Sequence, residues 1–590
     1  MAVVSLSGQA WAGRAAVAVL HSGPVALVRQ TLQLVRQAMA PAQGVYERWR
    51  LANEPGAREL RALAAQVRQF RRRPVVTLVM PVDQPELRAL ATTVQSVRAQ
   101  LYADWELCIA LDGPQPEWVA RALARWARDD SRLCVTSSLC RKGLSAAACS
   151  ALGLATGAWV ALLDPGDTLS PEALLRLVEA MQDEDLDLVY SDEDRLDLSG
   201  RRVEPYFKPA WSPHLLMSQP YAARLAAVRR ELLNRVGGIR AGFDGAHDYD
   251  LVLRVAEASG RIRHVPHVLY HRRADEPACS RGPARESAMA ALDEARARRG
   301  IHGKVGSSPC AGVFRVTREA PVWPRVTIAV PTRDRADLLK ACLDGLLNRT
   351  DYPDLEVLVV DHDSTDSGTL RFLSSATADP RVRVLPFTGR FNFAAMNNMA
   401  ARAGRGEFVL FLNNDTETLG SGWLKAMVGL ALDPSVGAVG ARLLYPEGSV
   451  QHAGVVLGVG GLASHAFGKM PGSSDVYFGS LHSDRNYSAV TAACLLTRRA
   501  EFLASGGFDA SELPGAYADL DYCLRLRRSG KLVVYCAEAE LLHHEGASCR
   551  GAEDLAGAAS FERRWRSELA FDGYYSPHLN RERADFSIRA

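Results

Sequence analysis

The feature that most limits how this chain can fold is an order of landmarks that occurs twice. Pro81, Asp112, Gly157 and Asp164 are matched by Pro331, His362, Gly406 and Asn413, at a spacing near 250 residues. A period this long marks a duplicated domain, since solenoid repeats run at roughly 20–50 residues. The best-defined landmark is Phe408-Val-Leu-Phe-Leu412, which runs out into Asn413-Asn-Asp415. A segment apolar on both faces is expected as a strand covered on both sides in a mostly parallel sheet. A carboxylate just past such a strand stands where open α/β sheets bind ligands. The echo is Trp159-Val-Ala-Leu-Leu163, followed by Asp164-Pro-Gly-Asp167.

The surroundings of both landmarks alternate between apolar strands and amphipathic helices, the pattern of βαβ units. In the first copy, strands are expected at 75–80, 106–111, 133–137 and 159–163, with a helix carrying Leu87, Leu90, Val94 and Val97 between the first two. The order restarts near residue 325, with strands at 326–330, 356–360 and 408–412. Later, Gly237-Gly238 precedes Asp248-Tyr-Asp-Leu-Val-Leu-Arg254, and Gly506-Gly507 precedes Asp519-Leu-Asp-Tyr-Cys-Leu-Arg525. The offset has then grown, so the second copy holds an insertion around 454–488. The expected architecture is two Rossmann-like α/β domains in tandem, at 74–300 and 320–555. A helical segment, 1–73, precedes them, with helices at Val25–Met39 and Ala57–Phe70, and a tail follows from 556.

A chain of 590 residues exceeds one hydrophobic core. Its net charge of +3 gives no reason to expect a nucleic-acid partner. The 11 cysteines are scattered with no C-x-x-C pair, which fits free thiols in a reducing compartment. No run approaches the roughly 20 apolar residues of a membrane span, and Arg14 interrupts the apolar N-terminus. The expectation is a cytoplasmic protein that touches a membrane only peripherally.

Each copy pairs a strand-end carboxylate turn with a later Asp at the start of a helix and a His beyond it: His271 in the first, His543-His544 in the second. A carboxylate and a His beside phosphate oxygens suit a hard cation, Mg²⁺ or Mn²⁺. A separate Asp can serve as general base toward a hydroxyl. Taken singly, a strand-end Asp is a turn former and an acid in a first helical turn complements the helix dipole. The recurrence of the ordered set is what points to chemistry.

At this level the sequence resembles the inverting family 2 glycosyltransferases of GT-A fold, arranged as a tandem pair. Val359-Val-Asp-His-Asp-Ser-Thr-Asp366 is similar to the family's base- and ribose-contacting turn. Phe391-Asn-Phe-Ala-Ala-Met-Asn-Asn398 and Leu412-Asn-Asn-Asp-Thr-Glu417 are similar to its F-N-F-x-x-x-N-N segment and to its version of the metal-binding D-x-D. Gln451-His-Ala-Gly454 and Thr491-Ala-Ala-Cys494 resemble segments that shape the acceptor side. The resemblance implies Asp519 and Asp248 as catalytic bases. It implies nucleotide-sugar contacts from Pro331, Asp361, Asp363, Asn398 and Asn414, with Pro81 and Asp112 in the first copy. It implies metal ligation by Asp415 with His543 or His544, and by Asp164, Asp167 and His271. Tyr190-Ser-Asp-Glu-Asp194 and Tyr206-Phe-Lys-Pro209 further resemble tandem enzymes of bacterial O-antigen and surface-polysaccharide assembly, some of them rhamnosyltransferases acting on lipid-linked acceptors.

The copies depart from the pattern unequally. In the first, Leu111 takes the place of the first Asp of the base-binding turn, Cys149 that of Asn398, and Gly166 that of the second Asp of D-x-D. In the second, Ala518 replaces the acidic neighbour of the base, and Tyr522 a Leu. The alternative is that one or both copies are non-catalytic sugar- or glycan-binding modules. A nucleotide-sugar pyrophosphorylase would need a glycine-rich phosphate loop, which does not follow Val75 or Val326.

Overall fold

The computed structural model describes residues 44–273, 282–544 and 554–589. The expected helix at Val25–Met39 lies outside them. Two helices, 44–53 and Ala57–Gln66, form the N-terminal segment. Tyr46 and Trp49 are buried, the Tyr46 hydroxyl donating to Asp194 Oδ2 at 2.6 Å and the Trp49 ring packing on Phe207 with centroids 4.8 Å apart.

The first sheet comprises β1 (Val76–Val82), β2 (Trp105–Leu111), β3 (Leu133–Ser137), β4 (Trp159–Leu162), β5 (Thr168–Leu169), β6 (Leu188–Leu196), β7 (Arg202–Tyr206), β8 (Ala227–Arg229) and β9 (Ile262–Arg273). Their order is β3-β2-β1-β4-β8-β6-β9-β5, with β7 beside β6. A hairpin of β10 (Gly303–Ser307) and β11 (Phe314–Arg318) joins it to the second half. The second sheet uses β12 (Val326–Thr332), β13 (Leu355–His362), β14 (Val382–Phe387), β15 (Phe408–Leu412), β16 (Thr416–Thr418) and β17 (Val436–Leu444). β18 (Val450–His452) lies beside β17 as β7 lies beside β6, the inserted segment adds β19 (Val455–Leu457), β20 (Ala463–His465) and β21 (Arg485–Asn486), and β22 (Cys494–Arg498) and β23 (Leu532–His543) complete the set. The order β14-β13-β12-β15-β22-β17-β23-β16 repeats the first sheet strand for strand. In each sheet β1–β4 or their counterparts pair in parallel and the far half is mixed. Two mostly parallel α/β sheets behind a helical segment are the fold class expected.

Alternate residues of the central strands feed cores on opposite faces: Val79 and Cys108 on one side of the first sheet, Val76, Leu78 and Met80 on the other. Val330 and Phe408 against Ala329 and Val409 do the same in the second. Each such Val, Leu or Phe contributes about 1.5–3 kcal/mol by leaving water. A fifth core lies between the halves, where Tyr46, Trp49 and Phe207 meet Tyr487, Tyr535 and Phe586.

The matched glycines have packing reasons. A Cβ on Gly157 would lie 2.6 Å from Thr77 Oγ1, and one on Gly406 2.5 Å from the Thr327 nitrogen. The same clamp closes both sites: Glu106 Oε1 accepts from Thr77 Oγ1 at 2.5 Å, and Glu356 Oε1 from Thr327 Oγ1 at 2.7 Å. Gly237-Gly238 and Gly506-Gly507 take left-handed φ of 86°, 70°, 87° and 73°, which glycine adopts without a Cβ penalty.

Candidate active site

In the second domain the site assembles at the carboxyl ends of β12, β13 and β15. Asp361 ends β13 opposite Thr332 of β12, and Thr332 Oγ1 accepts from Asn414 Nδ2 at 2.9 Å. The turn after β15 is thereby tied to the end of β12. Asp361 Oδ1 is buried with no hydrogen-bond partner. A buried acceptor left so costs about 1–3 kcal/mol, and a donor on a ligand would satisfy it. Asp363, exposed and at φ 48°, accepts from the Gly389 nitrogen at 3.0 Å. Pro331 lies within β12, paired with Val360.

Asp415 is buried, and its Oδ1 lies 3.0 Å from His543 Nε2. On its other side His543 meets Gln451 Oε1 through Nδ1 at 2.6 Å. Nδ1–H therefore donates, and Nε2 keeps its lone pair, which also faces Asn413 Nδ2 at 3.2 Å. An imidazole lone pair and a carboxylate oxygen converging at 3.0 Å are two donors that could hold a divalent cation, whose ligand distances are about 2.0–2.2 Å. Among the described residues no group of three or more His, Cys, Asp or Glu is placed to hold a metal, so oxygens of a ligand would complete the shell. His544 is not part of this pair. Its Nε2 lies 2.8 Å from Glu417 Oε1, and its main-chain nitrogen donates to the Asp415 carbonyl at 2.9 Å.

Asp519 opens the helix Ala518–Arg528 after Tyr517, whose φ is 63°. Its Oδ1 accepts from the Leu520 nitrogen at 2.9 Å and its Oδ2 from the Ala492 nitrogen at 2.8 Å. The next residue, Ala493, accepts from the Asn413 nitrogen at 3.1 Å. Asp519 and Asp415 therefore flank one cleft. The remaining lone pairs of the half-buried Asp519 carboxylate stay free for a hydroxyl. Its neighbour Asp521 has another task, holding Arg525 Nε at 2.9 Å while Arg525 Nη2 donates to the Gly507 carbonyl at 2.5 Å. Asp250 and Arg254 repeat this tie in the first domain.

The Asn398 amide is engaged within the protein. Its Nδ2 donates to the Phe508 carbonyl at 2.8 Å and its Oδ1 accepts from the Phe508 nitrogen at 2.9 Å. The amide is spent on pinning the Gly506-Gly507 turn. Cys149 does the same with one bond, Sγ donating to the Ile239 carbonyl at 3.0 Å.

The first domain does not bring its candidate metal ligands together. Thr168 pairs with His271 and Thr416 with His543, so the counterpart of Asp415 is Asp167, not Gly166. This corrects the alignment of the D-x-D turn, which has one residue more in the first copy. Asp167 is taken by the Tyr270 hydroxyl at 2.5 Å and the Arg273 nitrogen at 2.8 Å. Burial and the nearby Asp164 carboxylate raise its pKa above the ordinary range. His271 turns instead to Asp194 through Nδ1, at 2.7 Å, and to Ser170 Oγ through Nε2, at 2.9 Å. Asp164 is ion-paired with Arg224, whose Nε lies 3.4 Å from Asp248 Oδ2. Burial would push the Asp164 carboxyl up, but Arg224 outweighs it and holds the group below the usual range. Asp112 accepts from the Lys142 and Gly143 nitrogens at 2.7 and 3.0 Å. Pro81 lies in β1 opposite Ala110.

Sequence reasoning missed two residues here. Gln451 was noted only for its segment, and Arg224 not at all. Writing Ala222-Ala-Arg-Leu225 beneath Thr491-Ala-Ala-Cys494 would have exposed the arginine.

The two sheets, each with its strand-end acids, define a tandem α/β protein. Residues 78–242 and 327–455 match the family described as Glycosyl transferase family 2, and the chain belongs to that family over these two regions. The matched regions hold Asp164, Asp361 and Asp415 but stop short of Asp248, Asp519 and His543. Among individual relatives, the chain is 40% identical over 544 residues to the uncharacterized protein y4gI of Sinorhizobium fredii, covering 89% of this chain and 60% of that protein. It is 40% identical over 566 residues to the O-antigen biosynthesis protein RfbC of Myxococcus xanthus, covering 93% and 44%. The chain thus spans about half the length of these curated relatives. Among solved structures, the mannosyltransferase PcManGT of Pyrobaculum calidifontis, in complex with GDP-Man and Mn²⁺, aligns with a TM-score of 0.30 and 21% identity, over 48% of this chain and 70% of that one.

Proposed function

We propose that the chain is an inverting glycosyltransferase of bacterial surface-polysaccharide synthesis. It moves a sugar from a nucleotide-diphosphate donor to a hydroxyl of a lipid-linked glycan, at the cytoplasmic face of the membrane. The observation that carries this reading is the second-domain cleft, where a partnerless Asp361 oxygen, the Asp415–His543 pair and Asp519 flank the same strand ends. The identity to an O-antigen biosynthesis protein supports the pathway. No described helix is long and apolar enough to cross a membrane, so contact with a lipid-linked acceptor would be peripheral.

In this mechanism Asp361 receives a donor group of the nucleotide. Asp415 Oδ1 and His543 Nε2 would hold Mg²⁺ or Mn²⁺, with Gln451 fixing the imidazole tautomer. Such a cation, when bound, neutralises diphosphate charge and improves the leaving group. Asp519 takes the proton of the acceptor hydroxyl as its oxygen attacks the anomeric carbon from the face opposite the diphosphate. The bond to the diphosphate oxygen breaks, its electron pair leaves with the nucleotide, and the anomeric centre inverts.

The test is a screen of UDP-, dTDP- and GDP-sugars for metal-dependent transfer or hydrolysis by the purified protein, with Asp519→Asn as control. Metal-dependent turnover with one donor class, lost in Asp519→Asn, is the expected result. Turnover that survives the substitution would remove Asp519 from its role.

A further inference from the structure

The first domain has the strand order of the second, yet its cleft is closed by its own side chains. We infer that Arg224 stands where a donor's charge would lie, so that the first domain takes no divalent cation or nucleotide diphosphate and the chain holds a single donor site. This rests on the reading of the second cleft as that site.

The strand register makes the comparison residue by residue. Trp159 pairs with Arg229 and Phe408 with Arg498. Counting back along β8 and β22 places Arg224 at the position of Ala493. In the second domain this position, between the Asn413 nitrogen that bonds the Ala493 carbonyl and the Ala492 nitrogen that bonds Asp519, carries only a methyl group. In the first domain a guanidinium fills it, ion-paired with Asp164 on one side and 3.4 Å from Asp248 on the other. The Arg224 side chain is 15% exposed and that of Asp248 10%, so the pairing is largely removed from solvent. A guanidinium is a planar, permanently charged fork. Held between two carboxylates, it offsets one of their two charges and engages both acids, one that a metal would need and one that an acceptor hydroxyl would need.

The other ligand positions are closed independently. Asp167, the counterpart of Asp415, accepts from Tyr270 on one oxygen and from Arg273 on the other, and His271 faces Asp194 and Ser170 through its two ring nitrogens. The donor set therefore does not fit a divalent cation. At the base-binding turn the counterpart of Asp361 is Leu111, as the pairs Val82–Leu111 and Thr332–Asp361 require. Asp112 is occupied by the Lys142 and Gly143 nitrogens.

The experiment is a titration of the full chain with Mn²⁺, followed by electron paramagnetic resonance, with UDP, dTDP or GDP present. One nucleotide-dependent Mn²⁺ per chain is expected, abolished by Asp415→Asn. A second equivalent in the unsubstituted chain, or one equivalent surviving Asp415→Asn, would overturn the inference. No nucleotide-dependent Mn²⁺ at all would strike the second-domain assignment while agreeing with a closed first cleft, so the two failures are distinguishable. In the Asp415→Asn background, Arg224→Ala is expected to show no rise in melting temperature with Mn²⁺, because Tyr270, Arg273, Asp194 and Ser170 still hold Asp167 and His271. A Mn²⁺ response in that double variant would overturn the independent closure of the ligand positions. If Arg224→Ala does not fold, the two stoichiometries still decide.

Discussion

The two clefts are built on the same scaffold and satisfy their acids in opposite ways. In the second, Asp361 keeps a buried oxygen without a partner, and Asp415 faces His543. In the first, the acids are met by Arg224, Tyr270 and main-chain nitrogens. What the copies share is mechanical: the Glu–Thr–Gly clamp, the paired glycines with left-handed φ, and the Asp–Arg tie at the base helix. Duplication has kept what holds the sheet and the helices in register. A few substitutions at strand ends separate the chemistry.

The sharpest way to break this comparison is to remove each base in turn. Asp519→Asn is expected to lower kcat by about 10²–10⁴-fold with nucleotide affinity unchanged. Asp248→Asn, a change inside the first domain that the second cleft does not use, is expected to leave the product linkages as they are. Product linkage analysis with both variants checks it. A new or missing linkage in Asp248→Asn would make the first domain a working transferase.

Removing the arginine that closes the first cleft tests the same contrast through stability. Arg224→Ala leaves Asp164 and Asp248 without their shared cation; breaking a fully buried pair this way costs about 3–5 kcal/mol, and less is expected here because the Asp164 side chain is 32% exposed. The second domain has Ala at this position and no such requirement. Chemical denaturation monitored by hydrogen exchange of β4 and β9 should therefore show loss in the first domain only. Equal loosening of β15 and β23 would mean that the halves unfold as one unit.

Much of this was legible before any coordinates. The apolar runs at 159–163 and 408–412 became β4 and β15 because burial on both faces leaves little choice. The Gly157/Gly406 echo marked a real contact, although nothing in the sequence shows that Thr77 and Thr327 are what each glycine makes room for. The site was legible only in outline. Sequence spacing offered both His543 and His544 to Asp415, and strand pleat decided: Thr416 opposite His543 turns that ring toward the carboxylate and sends His544 to Glu417. Asn398 read as a ligand contact because its motif does, whereas helix geometry points its amide at Phe508. The extra residue in the first D-x-D turn is invisible without strand pairing.

A smaller effect is expected at Gln451, whose carbonyl oxygen sets the tautomer of His543. Gln451→Ala frees the imidazole to place its proton on Nε2, toward Asp415, where a cation needs a lone pair. Loss of such an outer partner typically weakens metal affinity about 10–100-fold. In the first domain Asp194 is the Nδ1 partner of His271, and Asp194→Ala should leave Mn²⁺ affinity where it was. Isothermal titration of both variants with Mn²⁺ and the accepted nucleotide gives the answer. Equal weakening in the two would mean that His271 also serves a metal.

The smallest difference lies in the clamp on the glycine turns, two bonds from Asn398 and one from Cys149. Exchanging the second clamp for the first, by Asn398→Cys, removes one bond and keeps a thiol donor for the Phe508 carbonyl. A net hydrogen bond is worth about 0.5–1.5 kcal/mol, which corresponds to a loss of up to about tenfold in protection of the Phe508 amide against exchange. If Asn398 serves only the turn, nucleotide affinity of the Asn398→Cys protein stays within error while exchange at Phe508 accelerates. If affinity falls and exchange does not, the amide leaves Phe508 to meet the donor when one is bound. The turn would then be a moving part of the second cleft with no equivalent in the first, because the Cys149 thiol is too short a donor to make that exchange.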